Sequence, residues 1–262
     1  MSVVAHLRSL WRTLALLGLI VPMLGLMELE RACLEQPLLT QYKWLRRFGR
    51  LANRLYRIEV VRRGAFAAGG RSLSGADERG RGRLFVMNHR SMLDIFVCFA
   101  NIEAQLLSRS DIARWPLIGF TAKRVGTLFV NRDSRSSGAA AVLAMTHALA
   151  RGRGVLVFPE GTTFAGDDVR PFRSGAFRAA IAAGAAIVPL GIAYQDGAAG
   201  YGDETFFAHY RRIAGRPCTR IAIVAGEPGR CVGTDVEATR EQARDRVAAL
   251  VQQARIVLSR PG

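Results

Sequence analysis

The sequence predicts an α/β fold, with a mixed, largely parallel sheet flanked by helices and preceded by an N-terminal membrane-associated two-helix segment. After residue 57, short apolar runs of strand length alternate with helical stretches, which is typical of a sheet covered by helices. The first 57 residues instead hold an uncharged apolar run followed by a basic amphipathic stretch. We therefore expect membrane-anchoring helices in residues 1–57 and an α/β domain in residues 58–262.

The composition fits one large domain with an appendage, because half of the 262 residues are hydrophobic. The formal net charge is +16, and 35 of the 37 basic residues are arginine. This surplus predicts attraction to a membrane surface, a phosphorylated substrate or nucleic acid. Four scattered cysteines without CxxC spacing argue against a disulfide framework and a zinc site. A reduced, cytosol-facing compartment fits them best.

The apolar run Thr13–Met27 is the candidate anchor. A bilayer span takes ~20 apolar residues, so this run is short, and Pro22 and Gly25 would kink it. A signal peptide is the first alternative, but no small-x-small cleavage site follows the run. We expect an uncleaved helix that crosses the bilayer at a tilt or dips into one face.

The next stretch predicts a helix that lies in the membrane interface, with Trp44 and Tyr56 near the boundary. Its apolar stripe is Leu38, Tyr42, Leu45, Phe48, Ala52 and Leu55. Its basic stripe is Lys43, Arg47, Arg50, Arg54 and Arg57. The alternative is a helix packed on the following domain with a solvated basic face, and the two interpretations are compatible. The basic residues also suggest the cytoplasmic side of the membrane.

The body of the chain contains seven candidate strands and five candidate helices. The strands are Ile58–Val61, Leu84–Met87, Ala104–Leu107, Thr127–Val130, Val155–Phe158, Ile187–Ile192 and Arg220–Val224. The helices are Met92–Ala100, Pro116–Val125, Ser137–Ala150, Ser174–Ala183 and Val236–Ser259. GxGxxG and GxxxxGK[ST] are both absent from the sequence, so it indicates neither a Rossmann nor a P-loop phosphate site.

His89 is the strongest catalytic candidate among four histidines, because it follows the apolar run Leu84–Met87 at a predicted strand end. Asp94 lies five residues on, where a continuous helix would turn it away by ~140°. The two can meet if His89 lies in the turn and Asp94 in the first helical turn. Asp94 would then hold Nδ1, and Nε2 would be free to take a proton from a hydroxyl. Alternatively, His89 is a buried structural histidine and Asp94 a dipole-stabilising acid.

Three further clusters follow other candidate strands. Asn131 and Arg132 end one strand, and an arginine suits bidentate phosphate recognition, although a plain surface arginine is the simpler interpretation. After a strand that ends at Pro159, residues 160–163 form a turn in which Gly161 permits close backbone approach and two threonines offer hydroxyl donors, although an ordinary turn with a surface glutamate is the alternative. Pro189 lies within the candidate strand Ile187–Ile192, which suggests a sheet edge, a bulge or a cleft wall.

Together these clusters resemble the glycerophospholipid acyltransferase family, and within it the 1-acyl-sn-glycerol-3-phosphate acyltransferases. The family has four ordered blocks, NHxSxxD, GxxFxxR, FPEGT and a strand that contains VP. In this chain they correspond to Asn88–Asp94, Gly126–Arg132, Phe158–Thr163 and Val188–Pro189. The N-terminal segment is similar to the two-helix membrane motif of the family.

The resemblance implies that His89 is the general base and Asp94 its orienting partner, that Arg132 binds the acceptor phosphate, and that Glu160 and Gly161 help to bind the acceptor. Thr163 stands where many members have Arg or Ser, which leaves the headgroup open. The predicted substrate-binding set is Arg132, Glu160, Gly161, Thr162, Thr163 and Arg173.

We therefore expect a membrane-bound enzyme that transfers a fatty acyl group from acyl-CoA or acyl-carrier protein to the sn-2 hydroxyl of 1-acyl-glycerol-3-phosphate, giving phosphatidic acid. No covalent acyl-enzyme is required, and no serine lies in a GxSxG elbow. No metal or bound redox cofactor is implied, because the thioester is a co-substrate. The alternatives are an acyltransferase for another lysolipid such as lyso-ornithine lipid, a hydrolase that uses the same pair, and a non-catalytic basic membrane-binding protein. Nucleic acid is not an expected partner, because no nucleic-acid-binding signature is evident.

Overall fold

A seven-stranded mixed sheet forms the centre of the protein. The structure, a computed structural model, describes residues 2–34, 36–68, 72–131, 134–231 and 233–259. The strands are β1 Ile58–Gly64, β2 Leu84–Met87, β3 Gln105–Arg109, β4 Leu128–Val130, β5 Val155–Val157, β6 Ile187–Tyr194 and β7 Thr219–Ala225. The helices are α1 Val3–Cys33, α2 Pro37–Leu55, α3 Ala65–Ala68, α4 Leu93–Asn101, α5 Ile118–Arg124, α6 Arg135–Ala150, α7 Gly175–Ala183, α8 Phe206–Ala214 and α9 Val236–Ser259.

The strand order is β1-β7-β6-β2-β5-β3-β4. Neighbouring strands are parallel except β6 and β7, which are antiparallel. This confirms the predicted α/β fold with a mixed, largely parallel sheet. Each predicted strand and helix of the body is present, with ends that shift by at most three residues.

Helices cover both faces of the sheet, as the alternation of side chains along β2 shows. Phe85 and Met87 belong to a core cluster shared with α2 and α4. Leu84 and Val86 belong to a second cluster shared with α6, α7 and α9. Because successive residues of a strand point to opposite faces, a strand covered on both faces is a continuous apolar run.

Pro189 lies in an interior strand, so the sheet edge is excluded among its three expected positions. β6 runs between β7 and β2 and is buried along its whole length. Pro189 precedes Leu190, whose partner Ala225 is the last paired residue of β7. The Gly226 N–H donates to the Pro189 carbonyl, so the missing proline N–H faces the end of β7 and interrupts no ladder bond.

The α2 helix packs into the protein. Phe48 makes edge contacts with Phe96 and Phe99, and a Cβ at Gly49 would lie 2.4 Å from the Ala100 nitrogen. Tyr56, expected near a membrane boundary, is instead buried in the core with its hydroxyl 2.9 Å from that of Tyr210. The apolar stripe of α2 therefore packs on the domain, as the alternative interpretation predicts. The division between residues 57 and 58 stays a prediction.

The α1 helix is 31 residues long and continues through Pro22. Among the described residues it is the one helix long and apolar enough to cross a membrane, by length and composition, and little of its apolar stretch is buried. Its exposed apolar stripe, spaced by three or four residues, is Val3, Leu7, Leu10, Leu14, Leu17 and Val21. The uncharged run Thr13–Met27, expected to be the anchor, therefore lies inside a longer helix.

The carboxyl ends of the parallel strands β2, β3, β4 and β5 meet at one edge of the sheet. The residues that follow β2, β4 and β5 are the Asn88–Asp94, Asn131 and Phe158–Thr163 segments. Parallel topology thus brings together clusters that are far apart in the sequence.

Candidate active site

His89 and Asp94 form a hydrogen-bonded pair. His89 lies in the turn between β2 and α4, and Asp94 lies in the first turn of α4. The distance from His89 Nδ1 to Asp94 Oδ2 is 2.7 Å, as the spacing argument predicts. The imidazole stacks on Phe158 with ring centroids 4.0 Å apart, and one fifth of its side chain is exposed. Among the described residues, Nε2 has no hydrogen-bond partner, so it is the nitrogen available to a substrate.

Asp94 is fully buried and accepts hydrogen bonds at both oxygens. Oδ2 accepts from the backbone N–H groups of Arg90, at 2.7 Å, and Ser91, at 3.0 Å, as well as from His89. Oδ1 accepts from the Tyr194 hydroxyl at 2.5 Å. Multiple donors stabilise an ionised carboxylate in a buried place. Asp94 is therefore held as the acceptor that fixes the tautomer and ring orientation of His89.

Tyr194 is a site residue that the sequence gives no reason to select. It ends β6, a hundred residues after Asp94, and is buried. Burial and the Asp94 carboxylate raise the pKa of Tyr194 well above its ordinary value. Its hydroxyl therefore stays protonated and donates to Asp94 across the working pH range.

Glu160 forms a buried ion pair with Arg90. Arg90 Nη1 lies 2.9 Å from Glu160 Oε2, and the guanidinium also donates to the Asp168 carbonyl. Glu160 Oε2 accepts the His89 backbone N–H at 2.9 Å, and Oε1 accepts that of Arg170 at 3.0 Å. Its side chain has no exposed surface. The geometry gives Glu160 a positioning role, which holds the catalytic turn against the loop after β5, while its predicted contact with an acceptor stays a prediction.

The loop after β5 also carries the other predicted binding residues. Gly161 has φ +83°, and a Cβ there would lie 2.5 Å from Arg173 Nε. The positive φ favours glycine, and any larger residue would also have to displace the Arg173 side chain. Thr162 and Arg173 are exposed beside it, and Thr163 is half-buried. Arg132 lies outside the described residues, so its phosphate-binding role stays a prediction.

A second histidine, His209, is buried and contacts the catalytic turn. His209 Nε2 lies 3.0 Å from Ser91 Oγ, and its Nδ1 lies 3.0 Å from Glu204 Oε1. Arg212 also pairs with Glu204, and burial lowers the pKa of His209. Sequence reasoning missed α8, which carries His209, because no motif marks it. His209 lies 118 residues after Ser91 in the sequence, so only the tertiary fold brings the two side chains together.

Asn88 joins the turn to the sheet. Its side-chain amide donates to the Ile192 carbonyl, and its side-chain oxygen accepts the Ile192 N–H, both at 2.9 Å. The amide thus replaces a backbone pair just beyond the β2–β6 ladder. Among the described residues, no three His, Cys, Asp or Glu side chains are grouped to hold a metal ion.

Comparisons with known proteins identify the family of the chain. The acyltransferase family model matches residues 57–193, more than half of the chain. A lyso-ornithine lipid O-acyltransferase of Pseudomonas aeruginosa is 34% identical over 170 residues, 63% of this chain and 66% of that protein. A 1-acyl-sn-glycerol-3-phosphate acyltransferase of Neisseria gonorrhoeae is 36% identical over 121 residues, 46% of this chain and 48% of that protein. The matches thus span less than two thirds of each relative.

A solved structure has the same fold. The crystal structure of a 1-acyl-sn-glycerophosphate acyltransferase from Thermotoga maritima matches with a TM-score of 0.72. The match covers 98% of this chain and 97% of that one, at 17% sequence identity. It extends over the two N-terminal helices as well as the sheet.

Proposed function

The chain belongs to the acyltransferase family, and we propose that it transfers a fatty acyl chain from a thioester donor to the sn-2 hydroxyl of 1-acyl-glycerol-3-phosphate. The product would be phosphatidic acid, and the donor would be acyl-CoA or acyl-carrier protein. The observation that carries this proposal is the His89–Asp94 pair, in which Nδ1 is held 2.7 Å from Asp94 Oδ2 and Nε2 has no hydrogen-bond partner among the described residues.

The pair performs general-base catalysis on an alcohol. His89 Nε2 takes the hydroxyl proton while the oxygen attacks the thioester carbonyl carbon, and the buried Asp94 carboxylate stabilises the imidazolium that forms. When the tetrahedral intermediate collapses, the C–S bond breaks and Nε2 returns the proton to the sulfur. An ester and a free thiol result. This proton transfer contributes ~10²–10⁴-fold to the rate.

Arginines beside the pair suit an anionic headgroup. Arg173 is exposed next to Gly161, and Arg170 is exposed with its guanidinium over the Phe164 ring. Guanidinium groups bind phosphate with paired N–H donors. We propose that these residues bind the acceptor phosphate, with the exposed Thr162 hydroxyl as a further donor. The sequence motif assigns the same role to Arg132.

The enzyme would work at the cytoplasmic face of a bacterial inner membrane. The exposed apolar stripe of α1 supports membrane association. The cysteines Cys33, Cys98, Cys218 and Cys231 are free, which fits a reducing compartment. Residues near α1 and α2 are rich in arginine, as expected for segments on the cytoplasmic side.

Lyso-ornithine lipid is the second candidate acceptor, because the Pseudomonas aeruginosa relative aligns with more of this chain than the Neisseria gonorrhoeae one does. Both acceptors present a lipid hydroxyl, so the His89–Asp94 chemistry is the same. The headgroups differ, since only lysophosphatidic acid carries a phosphate monoester.

The deciding experiment offers purified protein two acceptors and two donors. Lysophosphatidic acid and lyso-ornithine lipid are each incubated with labelled acyl-CoA or acyl-carrier protein, and the lipid products are separated. We expect phosphatidic acid as the main product. Turnover only on lyso-ornithine lipid would reject the proposed acceptor, and release of free fatty acid without acylated lipid would indicate a hydrolase. Liposome binding without turnover on either acceptor would indicate a non-catalytic protein.

A further inference from the structure

A cluster of aromatic and aliphatic side chains, of which Ile118, Phe120 and Phe207 are exposed and the other two half-buried, lies on α8 and on the segment from residue 115 into α5; we call it the aromatic patch. Its members are Trp115, Ile118, Phe120, Phe206 and Phe207. The Trp115 ring meets Phe206 edge-on at 4.9 Å and stacks on Phe207 at 5.7 Å. Phe207 is 71% exposed and Phe120 is 53% exposed. Large rings grouped on a surface mark a contact site more often than single exposed apolar residues do.

The backbone beneath the patch is strained. Leu117 has φ +58° and ψ −54°, and the Ile118 N–H donates to the Pro116 carbonyl at 2.6 Å. This is a three-residue γ-turn of the rare, strained kind, and a leucine with positive φ is unusual. The turn begins α5 and leaves Ile118 exposed. Strain of this kind persists where the segment has a function.

The patch lies close to the catalytic turn. One turn along α8 from Phe206, His209 places Nε2 3.0 Å from Ser91 Oγ. The Tyr201 N–H, just before α8, donates to the Arg90 carbonyl at 2.7 Å. The patch thus belongs to the same edge of the sheet as His89.

Cationic side chains accompany the apolar ones. Arg114, Lys123 and Arg211 are exposed on the segments that carry the patch. Arg124 lies over the Phe120 ring at 5.3 Å. Aromatic rings with neighbouring Lys and Arg form the pattern of a surface that enters the headgroup region of an anionic bilayer.

The patch is also joined to α1. Arg12 donates to the Ala214 carbonyl at 3.0 Å and Arg8 to that of Gly215 at 2.8 Å, which satisfies the carboxyl end of α8. At its other end, α1 contacts α5 through Glu28, 3.8 Å from Arg124. Both helices that carry the patch therefore contact the helix with the exposed apolar stripe.

We propose that the aromatic patch is a second bilayer-contact surface, separate from α1, that inserts among anionic phospholipids and turns the carboxyl edge of the sheet toward the membrane. The inference rests on the proposed function in one respect, that the acceptor is a membrane lipid. With the patch inserted, a lysolipid reaches His89 without leaving the bilayer.

Trp115 provides the test. In the full-length protein, Trp11→Phe and Trp44→Phe leave Trp115 as the only tryptophan. The protein is mixed with phosphatidylcholine–phosphatidylglycerol vesicles whose acyl chains do or do not carry bromine. We expect bromine to quench Trp115 emission about twofold, and to quench it less in vesicles of phosphatidylcholine alone. Emission that bromine leaves unchanged, while a variant retaining only Trp11 is quenched, would overturn the proposal.

Variants of the patch supply the functional readout. Phe207→Ser and Phe120→Ser should each lower turnover of vesicle-embedded lysolipid roughly tenfold, as expected for loss of a partly inserted phenyl ring. Turnover of a short-chain, monomeric lysolipid should stay at the wild-type rate. Leu143→Ser on α6 and Ile256→Ser on α9 are matched controls, because these side chains are 56% and 54% exposed away from the patch.

The outcomes separate the patch from the proposed function. Equal losses of turnover in the patch and control variants would overturn the proposal. It would also be overturned if sedimentation showed that the wild-type protein is a dimer and that Phe207→Ser is a monomer, because the patch would then be a dimer interface. Quenching of Trp115 without acyl transfer to any lysolipid would support the patch and reject the proposed function. Acyl transfer to a lysolipid without quenching of Trp115 would support the proposed function and overturn the patch.

Discussion

Replacing Tyr194 with phenylalanine removes one hydrogen bond from the Asp94 carboxylate and keeps the buried ring in place. The Tyr194 hydroxyl donates to Oδ1 at 2.5 Å, whereas the other donors all bond Oδ2. In the variant, Oδ1 keeps no hydrogen bond among the described residues. The carboxylate would then hold the His89 ring less firmly.

The magnitude follows from the charge of the acceptor. A hydrogen bond to an ionised group contributes about 1.5–3 kcal/mol to stability, so we expect the melting temperature to fall by roughly 5 °C. If the transition state loses the same free energy, kcat falls by about ten- to a hundredfold, since 1.4 kcal/mol is a factor of ten. Thermal unfolding and acyl transfer at saturating substrate measure the two effects.

Tyr56→Phe is the matched control. Tyr56 is equally buried, but its hydroxyl bonds the neutral Tyr210 hydroxyl at 2.9 Å. We expect a stability loss of about 0.5–1.5 kcal/mol and an unchanged kcat. A Tyr194→Phe enzyme with lower stability and wild-type kcat would refute the reasoning, because Tyr194 would then serve the fold alone.

Three further variants test other contacts. Glu160→Gln leaves the Arg90 guanidinium buried without its counter-charge, so thermal unfolding should show a loss of about 3–5 kcal/mol; an unchanged melting temperature would contradict the positioning role. Gly161→Ala places a Cβ 2.5 Å from Arg173 Nε at positive φ, so we expect about 1–3 kcal/mol of destabilisation and a higher KM for the acceptor, whereas wild-type values for both would be inconsistent. Because burial lowers the pKa of His209, the unfolded chain gains a proton below about pH 6.5 that the folded protein excludes. Wild-type stability should therefore fall as the pH drops below that value, and His209→Gln should flatten this dependence. Equal pH profiles of stability for the two proteins would contradict the role assigned to His209.

The fold and the central pair are predictable because their signals are local. β2 and β5 are apolar runs, and the turn after β2 places His89 opposite Asp94 over a separation of five residues. The same holds for α9, whose predicted bounds agree with the structure.

The partners of this pair are not local. Tyr194 and His209 reach the catalytic turn from 100 and 118 residues away, and no sequence pattern specifies such contacts. The motif predicts that Glu160 helps to bind the acceptor, but it does not reveal that Arg90 and two backbone N–H groups enclose the carboxylate. Tyr56 has the amphipathic character of an interfacial residue, yet tertiary packing buries it.

The most direct test of the central claim is acyl transfer by His89→Ala. The backbone N–H of residue 89, which donates to Glu160, survives this change, so the fold should persist, as circular dichroism and vesicle binding would show. We predict that the rate of ester formation falls ~10²–10⁴-fold. Transfer at the wild-type rate by a folded His89→Ala protein would mean that another group accepts the hydroxyl proton.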